Sequence, residues 1–418
     1  MARPRLNSMF SIGLAALVVS SGCRSGSVAT PLERGIATRL QDWFADSKPA
    51  FQPALFSLET ESELHTALER SAKAAELPGA VLVVSAAQQT WMGATGQANL
   101  EKQVAMQPTE RFRLGRLSEM FLAVVCLQLH EEGVLNLDDR LSDWLPAELD
   151  QQIPQSRSIT IRQLLNHTSG LPDLEADSFG QAVAADPAYR WRIPELLDFM
   201  PDRESGKPRG SFSYSTANYL LLQLILEQAT GSSLTEVLQS RIIKPLELKN
   251  TFVEFSSKQP FAQGYQDWNR DGTAENVTQP LLNTGLGLGG NALISNGPDL
   301  IRFLQALFFE NTLLELSSRD KMLVLTEMNS GSYSLGISHV MTRWGEIWGQ
   351  IDNTTGFSSA VLYLPIHDLI LVTWTNSGDL SERGPGPKKN QASELAEAIL
   401  DIILGHPPRF FSRQGGRW

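Results

Sequence analysis

Ile159-Thr-Ile-Arg-Gln-Leu-Leu-Asn-His-Thr-Ser-Gly-Leu-Pro172 is the stretch of this 418-residue chain from which its plan can be read. Thr160 suits a helix N-cap, because its hydroxyl can accept from the backbone N–H groups that open Arg162-Gln-Leu-Leu165. Gly170 and Pro172 then end that segment. Working outward, Glu131-Glu-Gly-Val-Leu-Asn-Leu-Asp-Asp139 and Trp144-Leu-Pro146 lie upstream. They follow an apolar helix predicted over Met120 to Glu132 and stopped by Gly133. Downstream come Phe212-Ser-Tyr-Ser215, Tyr219-Leu-Leu-Leu222 and Glu227-Gln-Ala-Thr-Gly231. Gly289-Gly290 follows, where backbone can pass close to another element, and then Asp299-Leu-Ile-Arg-Phe303.

The ends of the chain read differently from its middle. Leu64, Leu68 and Ala72 sit at helical intervals, which predicts a helix over about 58–76, stopped by Pro78-Gly79. Ala80-Val-Leu-Val-Val-Ser85 and Thr90–Gly96 read as strands. Ser358–Leu364 and Leu369–Asn376 are β-rich runs separated by Pro365-Ile-His-Asp368, a hairpin signal. Ala392 to Leu404 is amphipathic and helical. Residues 134–285 are mostly helical in pattern. Strands at both ends predict an α/β (α+β) fold: an antiparallel sheet assembled from N- and C-terminal segments, flanked by helices, with a mostly helical region inserted at about 115–290.

Composition narrows the function. The chain is 42% hydrophobic and 19% charged, long enough to bury a core without disulfides or metals. A net charge of −11 and a pI near 5.2 give nucleic-acid binding no electrostatic support. Arg3 and Arg5, an apolar run from Met9 to Val19 and Ser20-Ser-Gly-Cys23 have signal-peptide anatomy. Residues 1–23 are therefore expected to direct export, with Cys23 lipidated or the segment cut in ordinary secretion; the Gly-Cys ending favours lipidation. Residues 24–55 read as a tether, 56–405 as the domain and 406–418 as a tail. Cys126, in an apolar run, reads as a buried structural thiol. No H-E-x-x-H, C-x-x-C or G-x-S-x-G string occurs, so neither a metal site nor a cofactor is expected.

Over roughly residues 60–405 these stretches, together with Pro78-Gly79-Ala80, Arg111-Phe-Arg-Leu-Gly115 and Gly356-Phe-Ser-Ser359, occur in the order of a known family. The chain resembles the class C β-lactamase, D-alanyl-D-alanine carboxypeptidase and penicillin-binding-protein-like serine hydrolases. The resemblance implies a β-lactamase/transpeptidase-like fold. It also implies covalent catalysis, in which a helix-terminal serine attacks an acyl carbonyl and a lysine three residues later assists.

The family's catalytic positions can be located from their flanks. Counting from Phe112-Arg-Leu-Gly115, the serine position holds Arg116 and the lysine position Glu119. Ser118 would face about 200° away around the helix. Ser318-Arg-Asp-Lys321 has the serine–lysine spacing but falls too late in the chain, so it reads as coincidence. The second motif, Y-x-N in the family, is Tyr214-Ser-Thr216: the tyrosine remains and the asparagine does not. Asn218 is out of register. A lone tyrosine of this kind is more often a packed residue with a satisfied hydroxyl. The third motif, K-T-G or H-x-G, falls on Gln350-Ile-Asp352, where a carboxylate stands in place of a substrate-admitting glycine. His167 is a fold residue at a helix end in this family and is not nominated as a base.

Arg116 and Glu119 could pair at i, i+3 for about 0.2–0.5 kcal/mol. An arginine at a helix N-terminus is disfavoured by the helix dipole, so an ion cluster is expected in which Arg116 bridges Glu119 and Asp352. The bland alternative leaves all three in solvent. The functional expectation is a catalytically silent, envelope-anchored protein that binds a peptidoglycan fragment, a peptide or an envelope protein at a membrane face. The competing expectation is an active serine hydrolase of esterase, peptidase or β-lactamase type with a non-standard nucleophile.

Overall fold

Two helices from opposite ends of the chain lie on one side of a sheet that both ends build. The computed structural model describes residues 56–86, 89–153, 155–186, 189–201, 208–253, 261–267, 273–278, 293–328, 331–378 and 390–405. All belong to the unit Pro49–Trp418. The expected leader with Cys23, the tether, Gly289-Gly290 and the tail lie outside the described residues.

The N-terminal part supplies α1 (Leu58–Ala74) and strands β1 (Gly79–Ala86), β2 (Gln89–Asn99) and β3 (Val104–Ala105). Ser57 caps α1 by accepting from the Thr60 N–H. The helix stops two residues earlier than the pattern predicts, because Glu76 turns into the left-handed region at φ 52°. Short strands follow in the middle: β4 (Phe112–Arg113), β5 (Phe252–Val253), β6 (Tyr265–Gln266), β7 (Glu275–Asn276) and β8 (Leu293–Ser295). The C-terminal part adds β9 (Thr326–Met328), β10 (Gly331–Tyr333), β11 (Ser338–Thr342), β12 (Gly345–Thr354), β13 (Phe357–Leu364) and β14 (Leu369–Thr375).

These make a nine-stranded sheet in the order β3-β2-β1-β14-β13-β12-β11-β10-β9, antiparallel throughout. N- and C-terminal strands meet where β1 pairs with β14, from Ala80 opposite Thr375 to Ala86 opposite Leu369. The hairpin signal at Pro365–Asp368 is a short 3-10 turn whose last residue takes φ 46°.

The central strands are buried on both faces because helices cover both. Ala80, Leu82, Val84, Leu362 and Leu371 pack with Leu64 and Leu68 of α1 and with Ile399 of α6 (Gln391–Leu404). Val81, Val83, Val361 and Val372 face the larger core. That core includes α2 (Ser118–Glu131), α4 (Thr216–Thr230) and α5 (Gly297–Phe308), with α3 (Ile161–Leu165) beside them. Each such Leu or Val contributes about 1.5–3 kcal/mol by burial. Cys126 of α2 is fully buried, as expected, and burial raises its thiol pKa to about 12. The inserted region departs from the sequence reading in one respect. It is mostly helical, but β5 lies within it, paired with β8 in a three-stranded sheet β4-β8-β5 whose other two strands flank the region, and β6 pairs with β7 inside it.

Two features aim the head of α2. Phe112 of β4 stacks on Trp374 of β14 at 5.1 Å and meets Phe357 of β13 edge-on. The chain then enters a 3-10 turn, Gly115–Leu117, before α2 begins at Ser118. That turn lies against β12, whose pairing with β11 ends at Gly349 opposite Ser338.

Candidate functional site

Arg116 stands in the turn at the head of α2, and its position is set by Gly115. Gly115 takes φ 56°, a conformation L side chains rarely adopt, and a Cβ there would collide with Oδ2 of Asp352. Gly115→Ala is therefore expected to lower stability by about 1–3 kcal/mol, measured as a shifted urea midpoint; an unchanged midpoint would refute this account of the turn.

The Arg116 backbone N–H donates to Oδ2 of Asp352 at 3.1 Å and its Nε donates to Oδ1 at 3.2 Å. One carboxylate thus receives both a helix-terminal amide and a guanidinium. It answers the unfavourable dipole with a negative charge. The guanidinium carbon lies 4.2 Å from the centre of the Tyr214 ring, a cation–π contact. The Arg116 side chain remains 35% exposed while that of Asp352 is 5% exposed. Burial works against the arginine's charge, but Tyr214, Asp352 and Glu119 outweigh it and raise its pKa.

Glu119 has a different fate from the one expected. It is fully buried in the first turn of α2. Its Oε2 accepts from the Tyr333 hydroxyl at 2.7 Å and lies 3.4 Å from His167 Nε2; its Oε1 accepts from the Tyr214 hydroxyl at 3.0 Å. It does not pair directly with Arg116. The expected three-member cluster is therefore corrected to an Arg116–Asp352 pair, with Tyr214 between that pair and Glu119. The solvent alternative fails for Glu119 and Asp352. Tyr214 is the packed tyrosine with a satisfied hydroxyl that its isolation predicted. Burial, then the Glu119 charge, pushes the Tyr214 and Tyr333 phenols well above their usual pKa, so both keep their protons and donate.

His167, read as a fold residue, sits just past α3 at φ 55°. Its Nδ1 accepts from the Ser215 N–H at 3.3 Å and lies 3.0 Å from Asn218 Nδ2. The Ser215 backbone donor leaves no choice of tautomer: the proton is on Nε2, the atom facing Glu119. Asn218 is held in turn by the Ser169 hydroxyl at 2.6 Å. Its distance from the second-motif register concealed a structural role beneath the site.

Gln350 and Asp352 project from the same face of β12, two residues apart. Gln350 Nε2 donates to the Tyr333 hydroxyl at 2.9 Å and to the Gly336 carbonyl at 3.2 Å. Its Oε1 accepts from Ser338 at 3.1 Å. Thr216 opens α4, and its N–H donates to Asp173 Oδ1 at 2.7 Å. The fold therefore gathers Arg116, Glu119, Tyr214, Gln350 and Asp352 into one connected set. Thr216 lies at its margin. Sequence reasoning missed Tyr333 and Asn218, and it missed that His167 touches Glu119. No spacing marked either residue: Tyr214 lies ahead of α4, and Asn218 bonds to Ser169 and His167, 49 and 51 residues upstream.

Among the described residues, neither serine that the sequence brings into question stands with a lysine partner. Ser118 is buried, and its hydroxyl accepts from the Leu293 N–H at 3.3 Å. Ser318 is buried, whereas Lys321 is exposed with its Nζ 3.2 Å from His130 Nε2, so that spacing is coincidental. The hydroxyls around the network, Ser169, Ser215 and Ser338, donate to Asn218, the Pro172 carbonyl and Gln350. Among the described residues, no group of three or more His, Cys, Asp or Glu could hold a metal ion.

Comparison with known proteins places this geometry. The Beta-lactamase family model matches residues 64–396. Penicillin-binding protein 4* of Bacillus subtilis (strain 168) is 26% identical over 367 residues, which is 82% of this chain and 76% of that protein. Protein flp of Staphylococcus aureus (strain MW2) is 29% identical over 198 residues, or 46% of this chain and 38% of that protein, so the match covers well under half of that relative. A D-stereospecific amidohydrolase from Streptomyces sp. superposes with a TM-score of 0.70 at 27% identity, covering 82% of this chain and 99% of that one. The octameric penicillin-binding protein homologue from Pyrococcus abyssi shares the fold, with a TM-score of 0.70 at 21% identity over 85% of this chain and 79% of that one.

Proposed function

Because this chain belongs to the beta-lactamase family, we propose that it is a member that has given up acyl-enzyme chemistry and uses the remodelled site at the head of α2 to bind. One observation carries this reading. The residue at the nucleophile position is Arg116, and both its backbone N–H and its Nε are held by Asp352. An acyl enzyme needs a hydroxyl there, a base to take its proton and free donors for the developing oxyanion. The position supplies a cation, the lysine position supplies a carboxylate, and the amide donor is taken. Losing a nucleophile alone costs about a millionfold in serine hydrolases, and further losses at the same site add little.

The ligand classes that suit this reading are a peptidoglycan fragment, a peptide or an envelope protein. The names of the matched proteins, a penicillin-binding protein and a D-stereospecific amidohydrolase, favour the first two. Attachment would be through lipidated Cys23, at the periplasmic or outer-membrane face of a bacterial envelope. No helix among the described residues is long and apolar enough to cross a membrane.

The test is covalent labelling. The purified protein, incubated with a fluorophosphonate and separately with a labelled penicillin, is expected to show no mass increase by intact-protein mass spectrometry. An adduct abolished by changing a single serine would establish the competing reading, an active hydrolase with a non-standard nucleophile.

A further inference from the structure

Asp352 stands where the family resemblance puts a substrate-admitting glycine. Its side chain is directed at the head of α2, where it behaves as a ligand. Three observations define the place it fills. The Arg116 N–H and Nε point at its two oxygens, 3.1 and 3.2 Å away. Gly115 supplies the space, since any Cβ there would collide with the carboxylate. The guanidinium carbon lies 4.2 Å from the centre of the Tyr214 ring and the Arg116 side chain stays 35% exposed, so the site opens toward solvent.

The backbone of Asp352 is fixed independently of this contact. Its carbonyl accepts from Asn390 Nδ2 at 2.7 Å, and the same asparagine caps α6 through the Ser393 N–H at 2.7 Å. It also pairs with Ser359 across β12 and β13. The carboxylate can therefore leave Arg116 by side-chain rotation alone, with strand and helix in place. Glu119 does not compete for the arginine, because two phenols and the Nε2–H of His167 engage it.

We infer that Asp352 is a resident, displaceable ligand of a carboxylate-binding site formed by the Arg116 backbone N–H and guanidinium, and that an incoming carboxylate binds by taking its place. This rests on the binding role proposed above and names the ligand chemistry of that same site. The donors left when Asp352 swings away are one amide and one planar guanidinium, a set that matches a carboxylate's two oxygens and leaves a neutral amide one charge-assisted contact short. A tethered carboxylate competes at an effective concentration of about millimolar or higher. The unmodified protein therefore discriminates against isolated small carboxylates and selects ligands that add further contacts.

The probe is N-acetylglycine, with N-acetylglycinamide as the uncharged control, titrated against the parent, Asp352→Asn and Asp352→Gly while the Arg116 Nε–H resonance is followed by NMR. Neutralising or removing the resident carboxylate is expected to tighten N-acetylglycine binding at least tenfold. The Arg116 signal should move on saturation, and the amide should not gain. Equal N-acetylglycine affinity in the parent and both variants, or an equal gain for the amide, overturns the inference. Asp352→Asn keeps the side-chain shape and so tests the idea even where Asp352→Gly does not fold. Labelling of the same samples with the fluorophosphonate separates this failure from failure of the non-acylating reading. A covalent adduct refutes the latter, while an unchanged titration without an adduct refutes only the carboxylate site.

Discussion

Glu119→Ala is expected to unfold roughly 5 °C below the parent in a thermal melt. The substitution strands three donors at once. The Tyr333 hydroxyl and His167 Nε2 lie in a region shut off from solvent, and the Tyr214 hydroxyl lies at its edge. Each buried donor left unsatisfied costs about 1–3 kcal/mol, and breaking a buried charged network by removing one partner costs about 3–5 kcal/mol. For a domain of this size, with about 2.1 cal/mol/K of unfolding entropy per residue, 4 kcal/mol corresponds to roughly 5 °C. Glu119→Gln should recover part of this, because its carbonyl oxygen still accepts while its NH₂ meets a donor head-on. A melt of Glu119→Ala within about 1 °C of the parent would show that the carboxylate is not the keystone its contacts describe. Its position would then be explained by packing alone.

That keystone marks the boundary of what the sequence reveals. The scaffold is legible because local rules carry it. Thr160 caps α3 by accepting from the Gln163 N–H, and Gln163 returns the favour to Thr160. Pro365–Asp368 turns where its composition says a turn belongs. The vestigial positions are legible because flanking residues fix the count: Arg116, Glu119 and Asp352 do come together at the head of α2. The partners within the site are another matter. The i, i+3 spacing of Arg116 and Glu119 suggests a pair, yet the Tyr214 ring lies against the arginine while its hydroxyl serves the glutamate. Spacing along one helix cannot reveal a ring inserted from a segment 95 residues away. Tyr333 is more remote still, 214 residues from Glu119, and its β10 strand of three residues is too short for alternation to register. The same shortness hid β5, β6 and β7 within a region whose pattern is helical, and β4 and β8 at its two borders.

Returning the missing groups should return the chemistry. The combination Arg116→Ser, Glu119→Lys, Thr216→Asn and Asp352→Gly is expected to label with a fluorophosphonate at least about a thousandfold faster than either the parent or Arg116→Ser alone. The single change supplies a hydroxyl but no base, because the lone pairs of Glu119 are engaged by three donors. It also leaves the Asp352 carboxylate beside the amide that an oxyanion would need. The combination removes both obstacles. A lysine at position 119 would enter a pocket whose Nε2–H on His167 is fixed as a donor by the Ser215 N–H on the other ring nitrogen. An ammonium there finds few acceptors, whereas an uncharged amine can accept, so the pocket favours the form of lysine that takes a proton from serine. Gln350 is left unchanged, since its amide supports Tyr333. The readout is adduct mass against time, with a melt confirming that each variant is folded. A folded combination variant that labels no faster than Arg116→Ser would mean that acylation in this scaffold depends on residues outside these four positions. The head of α2 would then be a consequence of divergence rather than its cause.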